Sequence, residues 1–138
     1  MAIEYTFQLC TPTPPEAISG LLTAQPWQPP VTTHRTPTDL RIAVHRDGRP
    51  NLVLGEPEIS IGFRLDKVAE PEPQYAEIAR HVIAVLAAEP GDAVLQQDYE
   101  RILLLRRGAD LVVSDYFWAP ELLPWPFERR AAMPYPED

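Results

Sequence analysis

Residues 2–9 place Ile3, Tyr5, Phe7 and Leu9 on alternate positions, with Glu4, Thr6 and Gln8 between them. A period of two puts the first set on one face of an extended chain, so the segment predicts a half-buried strand. Thr13-Pro14-Pro15-Glu16 then reads as a helix start, with Thr13 as N-cap, proline at the first helical position and Glu16 closing a capping box. That helix would bury Ile18, Leu21 and Leu22 and run to about residue 25, where Pro26 stops it. Residues 27–37 form a proline-rich connection predicted to be irregular. Alternation resumes over residues 40–46, is followed by an Asp47-Gly48 turn, and returns over residues 59–65 after a short apolar run at 52–54. The clearest helical spacing covers residues 75–89, with Ile78, Ala79, Val82, Ile83, Val85 and Leu86 on one side and Pro90-Gly91 as its stop. Strands at 93–97, 102–106 and 111–114 follow as a meander, turning at Asp98-Tyr99-Glu100 and Gly108-Ala109-Asp110. Residues 120–123 suggest one helical turn, and the tail from about residue 119 is too rich in proline for regular structure.

The order β-α-β-β-α-β-β-β predicts an α+β protein: an antiparallel sheet of about six strands with two helices on one face. A length of 138 residues fits a single domain with a core of its own. Seventeen prolines, more than twice the usual share of about 5%, fall mainly between the periodic segments and fix the connections. One cysteine, Cys10, excludes an internal disulfide, and the N-terminus lacks the basic and apolar regions of a signal peptide. No apolar run approaches the ~20 residues that span a bilayer, so the expected location is cytoplasmic.

Charge adds direction. Residues 1–69 carry seven acidic against six basic residues, and residues 70–138 thirteen against six, which accounts for the net charge of −8. Between residues 70 and 100, Glu70, Glu72, Glu77, Glu89, Asp92, Asp98 and Glu100 face one opposing charge, Arg80. An acidic side attracts basic partners and repels nucleic acid and anionic membranes. Arg106-Arg107 and Arg129-Arg130 are too small a basic cluster to reverse that exclusion.

Candidate chemistry is sparse. Cys10 ends a strand with no base near it in sequence, which fits a small buried hydrophobe better than a nucleophile. The three histidines share no helical spacing, and no glycine-rich run precedes a helix to cradle phosphate. Asp92 and Asp98 flank a strand and so point away from a common ion. The expectation is therefore no catalytic residue, no metal and no cofactor. The aromatic-proline segment from Tyr116-Phe117-Trp118 through Trp125-Pro126-Phe127 either packs over the sheet or presents an interface. Packing is expected for Phe117 and Trp118, and Trp125 stays a candidate contact.

Three stretches taken together carry a resemblance. They are Ile59-Ser60-Ile61-Gly62-Phe63-Arg64-Leu65-Asp66-Lys67 before the second helix, Pro90-Gly91-Asp92-Ala93-Val94-Leu95 after it, and Leu103 through Val112 leading to Phe117-Trp118. In this order, behind an opening Met-Ala-Ile-Glu-Tyr strand, the chain resembles the Sit-type immunity proteins. That family is associated with the swarming-inhibition toxins of myxobacteria and has relatives in actinobacteria. The resemblance implies a cognate antitoxin, not an enzyme, that binds a delivered toxin and blocks it. It implies no catalytic residues. The charge suits a basic toxin such as a nuclease, with Glu70, Glu72, Glu77, Asp92, Asp98, Tyr99, Glu100 and Trp125 as candidate partner-binding residues. A cytoplasmic adaptor or chaperone for a secreted effector would share the same acidity and size. Strand edges leave a homodimer open.

Overall fold

β1 (Glu4–Leu9) lies at the centre of one eight-stranded sheet, paired antiparallel with β4 (Ile59–Arg64) on one side and β5 (Ala93–Gln97) on the other. The computed structural model describes residues 3–22, 33–46, 53–55, 57–115, 117–118, 123–131 and 133–136. Beyond β4 come β3 (Arg41–Arg46) and the edge strand β2 (Thr33–Arg35); beyond β5 come β6 (Arg101–Arg107), β7 (Asp110–Ser114) and β8 (Glu128–Arg130). Among the described residues every strand pairing is antiparallel except β7 with β8. The α+β class and the antiparallel core agree with the sequence reading.

Two strands exceed that reading. β2 falls inside the connection expected to be irregular, and β8 falls in the proline-rich tail. Each is three residues long, and each exists because a longer neighbour offers it free backbone groups: Thr33 pairs with Ala43 on β3, and Glu128 with Val112 on β7. The parallel β7–β8 pair needs a long crossover, so no hairpin turn marks it in the sequence. The Asp47-Gly48 turn, residues 120–122 of the expected helical turn and residues 23–25 of the first helix lie outside the described residues. Leu123, the last residue of that expected turn, is buried in the core in non-helical backbone.

Both helices cover one face of the sheet. α1 (Pro15–Leu22) begins with the amides of Ala17 and Ile18 donating to the Pro14 carbonyl, so Pro14 caps the helix and Thr13 sits in a turn with Thr11. α2 (Pro71–Ala88) starts four residues earlier than its apolar spacing indicates. Pro71 and Pro73 fall in the first turn, where a missing N–H costs nothing, and Gln74 reaches back to donate to the Glu70 and Asp66 carbonyls at 3.1 and 3.2 Å. Ile78, Val82 and Val85 of α2 and Ile18 of α1 bury fully against Tyr5, Phe7, Leu9, Ile42, Ile61 and Phe63, the inward set of β1, β3 and β4. Fully burying a side chain of this size stabilises by about 1.5–3 kcal/mol, so this layer is the main source of stability.

A β-bulge tightens the second half. Leu95 faces Leu104 while Gln96 faces Ile102, which leaves Leu103 as the extra residue of β6. Trp118, buried as expected, donates its indole N–H to the Leu103 carbonyl at 2.8 Å. The bulge also turns Ile102 to the opposite face, where it packs with Val53, Val94 and Met133. The tail therefore crosses behind the sheet: Ile102 N–H donates to the Met133 carbonyl at 2.6 Å, and Tyr135 N–H to the Glu100 carbonyl at 3.0 Å. It covers β5 to β7 from behind, and the rear of β1 to β4 has a different character.

Candidate functional site

The acidic candidates divide between the two ends of the sheet. At the end where β1 begins, the β5–β6 turn is closed by Glu100 N–H donating to the Gln97 carbonyl at 2.9 Å. Its two central residues, Asp98 and Tyr99, both adopt left-handed backbone, with φ of 51° and 56°. Glycine or asparagine is the favoured occupant of such positions, and a tyrosine there costs roughly 1–2 kcal/mol. Asp98 offsets part of this by accepting the Glu4 N–H on Oδ1 at 3.1 Å, and Gln96 Oε1 accepts the Tyr99 N–H at 2.6 Å. The Tyr99 ring stands edge-on to Tyr135 and remains 55% exposed. Tyr99 is thus a large, half-exposed aromatic held in a conformation better suited to glycine.

Glu70 and Glu72, both exposed, open α2 at this same end, because β4 leads into the helix through Asp66. The amides of Val68 and Ala69 donate to the Asp66 carboxylate at 2.9 and 3.1 Å and hold its pKa below the ordinary carboxylate value. Arg35 and Arg41 push in the same direction more weakly.

Asp92 and Glu89 sit at the other end. The 18 residues of α2 span about 27 Å, so these two do not join Glu70, Glu72, Asp98 and Glu100 in one surface. Asp92 accepts the Gly108 N–H at 2.8 Å, and Glu89 accepts from the Thr11 hydroxyl at 3.2 Å. Glu77 is withdrawn altogether. It is 6% exposed; the Thr36 hydroxyl donates to it at 2.5 Å, the Thr38 hydroxyl donates to the same oxygen, and Arg80 pairs with the other at 3.3 Å. Helix periodicity points position 77 toward the β2–β3 connection, a contact the linear charge pattern cannot contain. Trp125 is half-buried against the main core, as is Phe127. Cys10 is half-buried too, and burial, followed by the charges of Asp92 and Glu58, pushes its thiol pKa up, which opposes thiolate formation. No group of three metal-ligating side chains occurs among the described residues.

The arginines contiguous in sequence are structural. Arg106 donates to the carbonyls of Leu86 (2.9 Å), Gly91 (2.6 and 2.9 Å) and Glu89, closing the C-terminal end of α2. Arg107 donates to the Val53 carbonyl at 2.6 Å, Arg129 pairs with Asp115 at 3.2 Å, and Arg130 with Glu128 at 3.3 Å. A basic surface that the linear pattern does not show lies instead behind β1 to β4. There Arg35 faces Arg41, Arg41 faces Arg64, and Arg64 faces Glu4, forming one row across four strands. The row borders an open concavity of about 590 Å³ that also takes in Thr6, Ala43, Gly62 and Tyr99. Arg64 lies 23 residues beyond Arg41 and Arg35 sits in a connection expected to be irregular, so only the outward parity of Arg41 and Arg64 on their alternating strands hints at the row.

The fold and surface define an acidic α+β protein with a half-exposed tyrosine, Tyr99, set between Asp98 and Glu100. Residues 3–122 match the SitI3-like family, and the chain belongs to that family. No curated protein and no solved structure matches the chain. Among the described residues, no helix is long and apolar enough to cross a membrane.

Proposed function

We propose that this chain is an immunity protein that binds a cognate bacterial toxin in the cytoplasm and neutralises it by occupying its surface, without catalysis. Membership of the SitI3-like family supports the class. The observation that carries the contact surface is Tyr99, held half-exposed at positive φ between Asp98 and Glu100. Tyrosine is among the side chains that most often carry interface binding energy. Glu70 and Glu72 add negative charge at the same end of the sheet, on its helix-covered face. The partner that fits is basic, such as a nuclease. A net charge of −8 would steer its approach and raise the association rate at low salt.

Capture with the tagged chain at moderate salt, followed by co-expression of the captured polypeptide, tests the reading. A basic polypeptide that kills cells alone and spares them when this chain is present is the expected result. A captured polypeptide that is harmless alone, and is merely stabilised or exported better with this chain, would instead identify an effector chaperone.

A further inference from the structure

We infer that the rear face of β2, β3, β4 and β1 is a second docking surface, one that takes an acidic segment of the partner polypeptide along the arginine row. Directly opposed like charges destabilise a strand pair, yet β3 and β4 place Arg41 against Arg64, and β2 adds Arg35 against Arg41. Intramolecular relief is slight. Arg35 meets Asp39 at 3.9 Å with both side chains about half exposed, and no described residue forms an ion pair with Arg41 or Arg64. The acidic groups facing the row are Glu4 at its end and Asp66 beside Arg35 and Arg41. Three guanidiniums on adjacent strands span about 10 Å, from an interstrand spacing of about 4.8 Å.

The next rank of outward residues is small: Ala43 faces Gly62, and Gly62 faces Thr6. This leaves a trough beside the arginines, bounded by Tyr99 and Glu4 at the β1 end and belonging to the 590 Å³ concavity. A trough with a floor of small side chains and a wall of guanidiniums accommodates extended backbone with carboxylates on one side, since arginine pairs carboxylate in a planar, two-pronged geometry. A protein segment suits the site better than nucleic acid, because a polyanion would also meet the field of a chain with net charge −8. The inference rests on the partner being a protein, as proposed above. It adds that the partner is not uniformly basic: an acidic strand of it crosses the arginines while its basic surface meets Asp98 and Glu100.

The test is a fluorescence-anisotropy titration with a capped, labelled hexapeptide of alternating Glu and Val at about 50 mM salt, where screening is modest. A Lys-Val peptide and a single-stranded hexadeoxynucleotide serve as comparisons. The Glu-Val peptide should bind, and the Arg41→Gln/Arg64→Gln double variant should bind it about tenfold more weakly, the sum of two exposed charge pairs. The variant relieves opposed like charges, so its urea midpoint should equal or exceed that of the unmodified chain, which separates lost binding from lost folding. Absence of Glu-Val binding, binding within about twofold in the variant, or equally tight binding of the oligonucleotide would each overturn the inference. The titration needs no toxin. Its failure leaves the immunity reading intact, and failure of co-expression protection leaves the titration result unaffected.

Discussion

Replacing Arg106 with Met should cost this protein about 3 kcal/mol of stability, although the residue is half-buried and distant in sequence from what it holds. The last turn of α2 contains no basic residue, so its final carbonyls lack a local cation. Arg106 supplies one from β6, giving its guanidinium hydrogens to the carbonyls of Leu86, Glu89 and Gly91. Methionine keeps most of the aliphatic stem and removes the donors. Hydrogen bonds from a charged donor contribute about 1.5–3 kcal/mol each when buried, and water can reach this half-buried site, so about 1 kcal/mol for each of the three acceptors is the appropriate scale. For a chain of 138 residues, 3 kcal/mol corresponds to a fall in melting temperature of about 10 °C. Urea unfolding followed by tryptophan fluorescence checks the value, with an unchanged slope indicating that the native state keeps its compactness. Arg106→Lys should fall between the two, because one ammonium cannot reproduce the planar fork. A loss below about 0.5 kcal/mol for Arg106→Met would show that water caps the helix equally well, and would refute the reasoning.

Three further outcomes follow from the same geometry. Tyr99→Gly should leave stability unchanged or raise it by about 1 kcal/mol, by relieving the left-handed backbone, while weakening partner binding measured by calorimetry; a variant that binds as tightly as the parent would remove Tyr99 from the interface. Gly91→Ala should be severely destabilising in thermal melts, because the new Cβ would fall 1.8 Å from the Cys10 carbonyl oxygen, a backbone atom that cannot move without breaking the Cys10–Asp92 hydrogen bond; a near-native melt would contradict this. His81 lies buried on α2, stacked on Phe63 with ring centroids 6.4 Å apart, and burial, reinforced by Arg80, lowers its pKa from the ordinary 6.5. The unfolded chain therefore binds a proton more readily than the folded one, so the contribution is fully present above about pH 6.5 and is lost as pH falls from there toward the lowered folded value. Urea midpoints at about pH 5 and pH 8 should differ less in His81→Gln than in the parent, and equal differences would exclude His81 as the source.

Local periodicity determined most of the architecture. The alternation of Tyr5, Phe7 and Leu9, the 78–82–85 stripe of α2 and the Asp98-Tyr99 turn all arise from interactions within a few residues, so they are visible in the linear chain. Ile3, expected on the same buried face, lies before β1 and is exposed. Tyr99 as an exposed aromatic and Asp98 and Glu100 beside it were legible for the same reason. Long-range pairing decided the rest. β2 and β8 are too short to carry a period of their own and form only because β3 and β7 present open edges. A run of acidic residues along the sequence became two distant surfaces and one buried anchor, since an 18-residue helix separates its ends and turns Glu77 inward to Thr36 and Thr38. The adjacent arginines 106 and 107 became caps on carbonyls, while Arg35, Arg41 and Arg64, spread over thirty residues, became neighbours. Charge in a sequence is counted along the chain, but it acts through space, and only strand register sets which charges meet.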